Sequence, residues 1–148
     1  MCMKIKEIDK KITGWLGHHG LISLRFSIAI IFIWFGFLKV VDLSPATNLV
    51  KQTVYWINFS GFVTFLGWWE VVIGLCFMFR SLIRVGIALL IPQMIGTFLP
   101  LFLLPEIVFQ KGSFLIPTLE GQYIIKNLVI IAAAMVIGAT VRKHDEDI

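Results

Sequence analysis

One acidic residue, Glu70, stands near the middle of GFVTFLGWWEVVIGLCFMFR (Gly61 to Arg80), a stretch that is otherwise almost wholly apolar. In hydrocarbon no water completes the backbone hydrogen bonds, so such a stretch is expected to be helical. A charge near the centre of a bilayer costs about 2.5–3.5 kcal/mol on insertion scales, so Glu70 must face protein or water. Gly67 and Gly74 lie three residues before and four after it, on the same helical face. Glycines there let another helix come close, which predicts an inward-facing carboxylate. The chemistry open to it is ion pairing or the recognition of a polar group in a pocket.

The partners come from matching depth at 1.5 Å per helical residue. Lys39 lies near the outer end of the first apolar span, Lys126 roughly 6 Å below the start of the last, and Glu70 about 13 Å below the outer end of its own. Lys126, its neighbour Asn127 and Lys39 are therefore the candidate partners. Gln93, in the third span, is expected to point inward as well. Asp42 and Glu120 fall at the outer rim, where they could balance the second lysine. Arg25 sits at the opposite end, level with Arg80 and the lipid phosphates.

Two readings fit this constellation. In one, Lys39, Glu70, Gln93, Lys126 and Asn127 line a polar pocket open to the outer side, with Trp34, Trp68 and Trp69 as aromatic walls. In the other, the charges form a buried ion-pair network that fixes helix register. No nucleophile–base pair, metal cluster or phosphate-binding loop accompanies them, so no catalytic residue and no metal ligand is assigned. His18 and His19 are adjacent, hence about 100° apart on a helix, and no third ligand stands near them. Cys2 and Cys76 form no C-x-x-C, which excludes a thioredoxin-like dithiol, and Cys76 reads as a small buried hydrophobe.

The elements that must position these residues are membrane spans. Of 148 residues, 58% are hydrophobic and 15% charged, and the mean hydropathy is +0.90. A water-soluble globular domain is excluded on those grounds. The net charge of +4 comes from Lys and Arg at segment ends, a pattern that orients membrane proteins and argues against nucleic-acid binding. The sequence predicts an all-α membrane protein, a four-transmembrane-helix bundle with short interfacial helices, in contact with membrane lipid. Residues 1–20 carry Ile5, Ile8, Ile12 and Trp15 at helical spacing among lysines, and read as an interfacial helix. The membrane domain is 21–141, and 142–148 is a polar tail.

Within that domain the first span is Leu21 to Val41. Arg25, Ala29, Phe32, Gly36 and Lys39 share one face, which either turns into the bundle or lets Arg25 and Lys39 snorkel to opposite interfaces. Its apolar run is long and lacks an A-x-A-like end, so it is expected to stay as the first membrane helix. Ser44 and Pro45 start a second interfacial helix carrying Tyr55 and Trp56. The second span, Gly61 to Phe79, is followed by a tight basic turn, Arg80 to Arg84. The third span, Leu82 to Leu104, should kink at Pro92. Pro105 to Gly121 is a loop, and Gln122 to Val141 the fourth span, with Asn127, Ala134 and Gly138 on its small or polar face. Lys4, Lys6, Lys10, Lys11, Arg80, Arg84, Arg142 and Lys143 fall on one side and only Lys51 and Lys111 on the other. By the positive-inside rule both termini are cytoplasmic.

Several stretches carry a family likeness: LRFSIAIIFIWFGFLKV (Leu24 to Val40), Ser44-Pro45, the WWE run through Glu70 and Gly74, and PEIVFQ with EGQYIIKNLVIIAA (Pro105 to Ala133). In their order the chain resembles the DoxX-like membrane proteins, and among them the YkgB type. The family pattern tends to read Lys-Phe after the first span and Lys-Asp in the fourth; here these are Lys39-Val40 and Lys126-Asn127. The resemblance implies a four-helix protein of the bacterial inner membrane, linked to oxidative stress or to quinone-coupled sulfur oxidation. It implies an accessory or small-molecule-binding role, with a quinone or lipid as ligand. It also leaves open a subunit of a quinone-dependent oxidoreductase working with a redox partner, and a homo-oligomeric transporter or channel component.

Overall fold

The computed structural model describes residues 2–57 and 61–145. Helix α1 spans Cys2–Val40 without interruption. The sequence suggests an interfacial helix followed by a separate span, but the structure joins them. No proline separates the two, and Gly14, Gly17 and Gly20 each cost only about 1 kcal/mol against alanine, too little to end a helix. The helix stops at a Schellman-type turn. Asp42 takes φ 56°, the Leu43 N–H reaches back to the Leu38 carbonyl at 2.9 Å, and the Asp42 N–H to that of Lys39 at 3.3 Å. Asp is among the few residues that visit this left-handed region readily.

Helix α2 (Thr47–Thr53) is short. The Ser44 hydroxyl accepts from the Ala46 N–H at 3.3 Å, in a turn preceding the helix rather than as its cap. Tyr55 and Trp56 lie beyond α2 and are exposed. Helix α3 (Phe62–Met78) then leads through a 3-10 turn, Arg80–Leu82, into α4 (Ile83–Phe98). Pro92 sits inside α4, and the interruption comes at Leu99, ahead of α5 (Pro100–Leu103). Helix α6 (Pro105–Val108) and an isolated bridge between Phe109 and Pro117 order the following loop. Helix α7 (Leu119–Asp145) closes the described chain and carries helix into the segment expected to be tail.

Among the described residues, three segments are long and apolar enough to cross a membrane: Lys6–Val40, Arg80–Leu103 and Leu119–Val141. Helix α3 is apolar but has 17 residues, about 25 Å at 1.5 Å per residue. Neighbouring helices run antiparallel. Gly36 of α1 meets Gly67 of α3, and Ala29 meets Gly74. Gly86 of α4 meets Cys76 and Phe77 of α3, and Gly138 of α7 meets Ile87 of α4. Phe32, Ile73, Phe77, Leu90, Ala134 and Ile137 form the centre of the core. Large apolar side chains such as Trp34, Phe35, Phe65 and Ile95 point outward. That inversion suits a lipid solvent, in which helices associate through close packing rather than hydrophobic burial.

Candidate functional site

A close backbone contact between α1 and α3 builds the site. A Cβ placed on Gly36 would lie 2.6 Å from the Gly67 carbonyl oxygen and 2.9 Å from the Glu70 Cβ. With α1 and α3 touching backbone to backbone, Lys39, one turn beyond Gly36, reaches along α3. Its ammonium donates to Glu70 Oε2 in a buried salt bridge. From the other side α4 supplies Gln93, whose Nε2 donates to Glu70 Oε1 at 2.5 Å. Lys39, Glu70 and Gln93 are 9%, 6% and 7% exposed, so the cluster is sealed from solvent by its own helices.

One supporting bond ties α3 to α4 and another lies within α4. The Trp69 indole N–H donates to the Leu89 carbonyl at 3.3 Å, and the Thr97 hydroxyl to the Gln93 carbonyl at 2.9 Å. Both fall near Pro92, which lacks an N–H of its own. One buried acceptor in the cluster, Gln93 Oε1, has no hydrogen-bond partner among the described residues. The cluster is neutral overall, with each Glu70 oxygen engaged. Such an arrangement suits the fixing of helix positions, because a buried carboxylate with both oxygens bonded is satisfied where it stands.

Three of the five sequence candidates thus meet, and two do not. Lys126 is exposed, with its ammonium 5.4 Å from the centre of the Tyr123 ring. Asn127 is half-buried and donates to the carbonyls of Tyr123 and Ile124, at 3.0 and 3.2 Å, on its own helix. Of the candidate partners, Lys39 rather than Lys126 pairs with Glu70. Trp34 and Trp68 are 64% and 53% exposed, and Trp69 is half-buried against the core. Asp42 and Glu120 are exposed, and Asp42 serves the turn that ends α1. No group of three His, Cys, Asp or Glu among the described residues could hold a metal ion.

The cavity lies elsewhere. A groove of about 660 Å³ runs between α4 and α7, with Leu90, Met94 and Phe98 on one side and Ile131, Ala134 and Gly138 on the other. Its lining is almost purely apolar, and Ile95, Phe102 and Met135 on its rim are exposed. The sequence signal was partial. Ala134 and Gly138 are legible as a small face, but small residues opposite large ones leave space only if the helices do not close up.

Fold and site define an all-helical protein with membrane-length apolar helices, a sealed Lys–Glu–Gln cluster and a separate apolar groove. No family model, curated protein or solved structure matches this chain.

Proposed function

We propose that this is a four-span DoxX-like protein of the bacterial inner membrane, and that it holds the isoprenoid tail of a quinone as an accessory component of a redox-stress response. The observation that carries the reading is the α4–α7 groove. Its volume of about 660 Å³ falls within the roughly 300–1,000 Å³ usual for small-molecule sites. A lining without charges suits a hydrocarbon tail and leaves the headgroup at the surface. The sealed cluster then serves architecture, and the resemblance supplies the quinone and the stress response.

Connectivity supports the four-span reading. Helix α3 runs antiparallel to both α1 and α4, so a chain that crosses at α1 and again at α4 must cross at α3 between them. At about 25 Å it is a few ångströms shorter than a hydrocarbon core of about 30 Å, a mismatch that local thinning of the bilayer absorbs at modest cost. The basic turn Arg80–Arg84 and the N-terminal lysines then lie in the cytoplasm. Cysteines placed at Lys51 and Lys111, both exposed, are expected to react with a membrane-impermeant thiol reagent added to intact cells, while cysteines at Lys10 and Ser81 stay unlabelled. Labelling at Ser81 from outside would sink the four-span topology.

The ligand is tested by extracting purified protein with organic solvent and identifying what leaves it. Quinone is expected from the wild type. Met135→Trp, which fills the groove from its exposed rim, is expected to lose most of that quinone with little change in melting temperature. Recovery of acyl lipids without quinone from the wild type rejects the quinone; equal quinone in both proteins rejects the groove.

A further inference from the structure

The first turns of α1 stand clear of the hydrophobic core. Every described side chain from Lys6 to Gly20 is exposed, and a Cβ on Gly14, Gly17 or Gly20 would meet nothing within 4 Å. Lys6 to Gly20 covers about 21 Å of helix at 1.5 Å per residue. Along it runs an apolar stripe. Ile5, Ile8, Ile12, Trp15, His19, Ile22 and Phe26 alternate by three and four residues, the a/d spacing of a heptad held for about three repeats. Ile8, Ile12 and Trp15 are 58%, 54% and 61% exposed. The stripe continues onto the bundle at Ile22 and Phe26, still exposed, while Ile28 and Ala29 turn into the core. It therefore emerges on a face of α1 that α3 and α7 leave uncovered.

We propose that this stripe pairs with the same stripe of a second copy, in a parallel coiled coil that extends the α1 helices beyond the membrane. Three observations select that occupant. The helix passes without a break from the polar segment into the apolar span, whereas lying flat on the lipid surface would require a sharp bend near Gly20. Copies inserted with one topology present α1 in the same direction, so their seams meet parallel. In that arrangement position g of one helix faces e of the next heptad on its partner, five residues on. Lys11 at g then faces the uncharged Leu16 at e, whereas antiparallel packing would set g against g, lysine against lysine.

The test is cysteine cross-linking of the full chain in its membrane, in a Cys2→Ser background. Disulfide-linked dimers are expected from Ile8→Cys, Ile12→Cys and Trp15→Cys, and none from Lys10→Cys, Thr13→Cys or Gly17→Cys on the other faces. Cross-linking at all six sites, or at none, overturns the seam. A second measurement guards against incidental collisions. Ile8→Asp with Ile12→Asp should abolish the oligomer in native mass measurements while the melting temperature of the bundle stays unchanged. An unchanged oligomer in that variant overturns the proposal. So does a spin label at Ile12 that proves accessible to oxygen from the lipid phase, which would assign the stripe to the membrane surface.

Discussion

Glu70→Gln is expected to lower stability in detergent by about 3–5 kcal/mol, the usual cost of stranding one member of a buried ion pair. Lys39 and Gln93 both lose a charged acceptor, and neither can reach water, since each is less than a tenth exposed. Lys39→Met strands the carboxylate instead and should cost a similar amount. Combining the two leaves an apolar side chain beside an amide that still faces Gln93, so the double variant should recover much of the loss. Unfolding of the four members of the cycle, followed in one detergent, reads the coupling directly. Strictly additive losses would mean that Lys39 and Glu70 do not act as a pair. Lys126→Met supplies the contrast: an exposed lysine over a tyrosine ring should change stability by less than about 1 kcal/mol, the scale of exposed charged contacts. Its effect should add to that of Glu70→Gln without coupling. Coupling of Lys126 to Glu70, and none of Lys39, would contradict the observed pairing.

What the sequence reveals of this cluster, and what it withholds, has a geometrical cause. Gly67 and Gly74 flank Glu70 on one face, and Ala29, Gly36 and Lys39 share a face of α1, so the inward aim of both charges is legible. Depth is legible too, because rise per residue is constant. Rotation is not. Lys126 matches the cluster approximately in depth, but the direction it faces depends on how α7 is turned against its neighbours, which no single-helix pattern records. The tryptophans are ambiguous for a related reason, since a side chain facing lipid and one walling a pocket look alike in sequence.

The helices themselves are more legible than their joints. Long apolar runs locate α3 and α7, the end of α1 and the start of α4 to within a few residues. The joint expected after Gly20 is absent, since three glycines without a proline do not end a helix. Helix α4 runs through Pro92 and is interrupted at Leu99, where a further proline, Pro100, follows directly. Asp42 looks like a rim charge, yet its left-handed backbone is what turns the chain out of α1. A residue type alone does not separate these roles.

Gly67→Leu is expected to prevent folding of the bundle, and even Gly67→Ala should cost about 1–3 kcal/mol, the range for overpacking a filled interior. The reason is the identity of what a new Cβ would strike: the Gly36 carbonyl oxygen at 2.6 Å and the Lys39 Cβ at 2.9 Å. The first is backbone and cannot swing aside, so α1 itself must move. Gly96→Ala provides the control, because a Cβ there meets nothing within 4 Å and alanine in a helix gains about 0.5–1 kcal/mol over glycine. Leu75→Ala, which trims a side chain 43% exposed, should fall between the two. Melting temperatures in detergent should therefore rank Gly96→Ala at or above wild type, then Leu75→Ala, then Gly67→Ala. A Gly67→Ala protein as stable as Gly96→Ala would show that α1 and α3 do not touch there. The same substitution tests how the charge cluster is assembled. Lys39 reaches Glu70 because the Gly36–Gly67 contact brings the two backbones together one turn away. Pushing α1 off α3 at Gly67 should thus weaken the Lys39–Glu70 coupling when the double-mutant cycle is repeated in the Gly67→Ala background. An undiminished coupling there would mean that the ion pair holds the helices independently of the glycine contact.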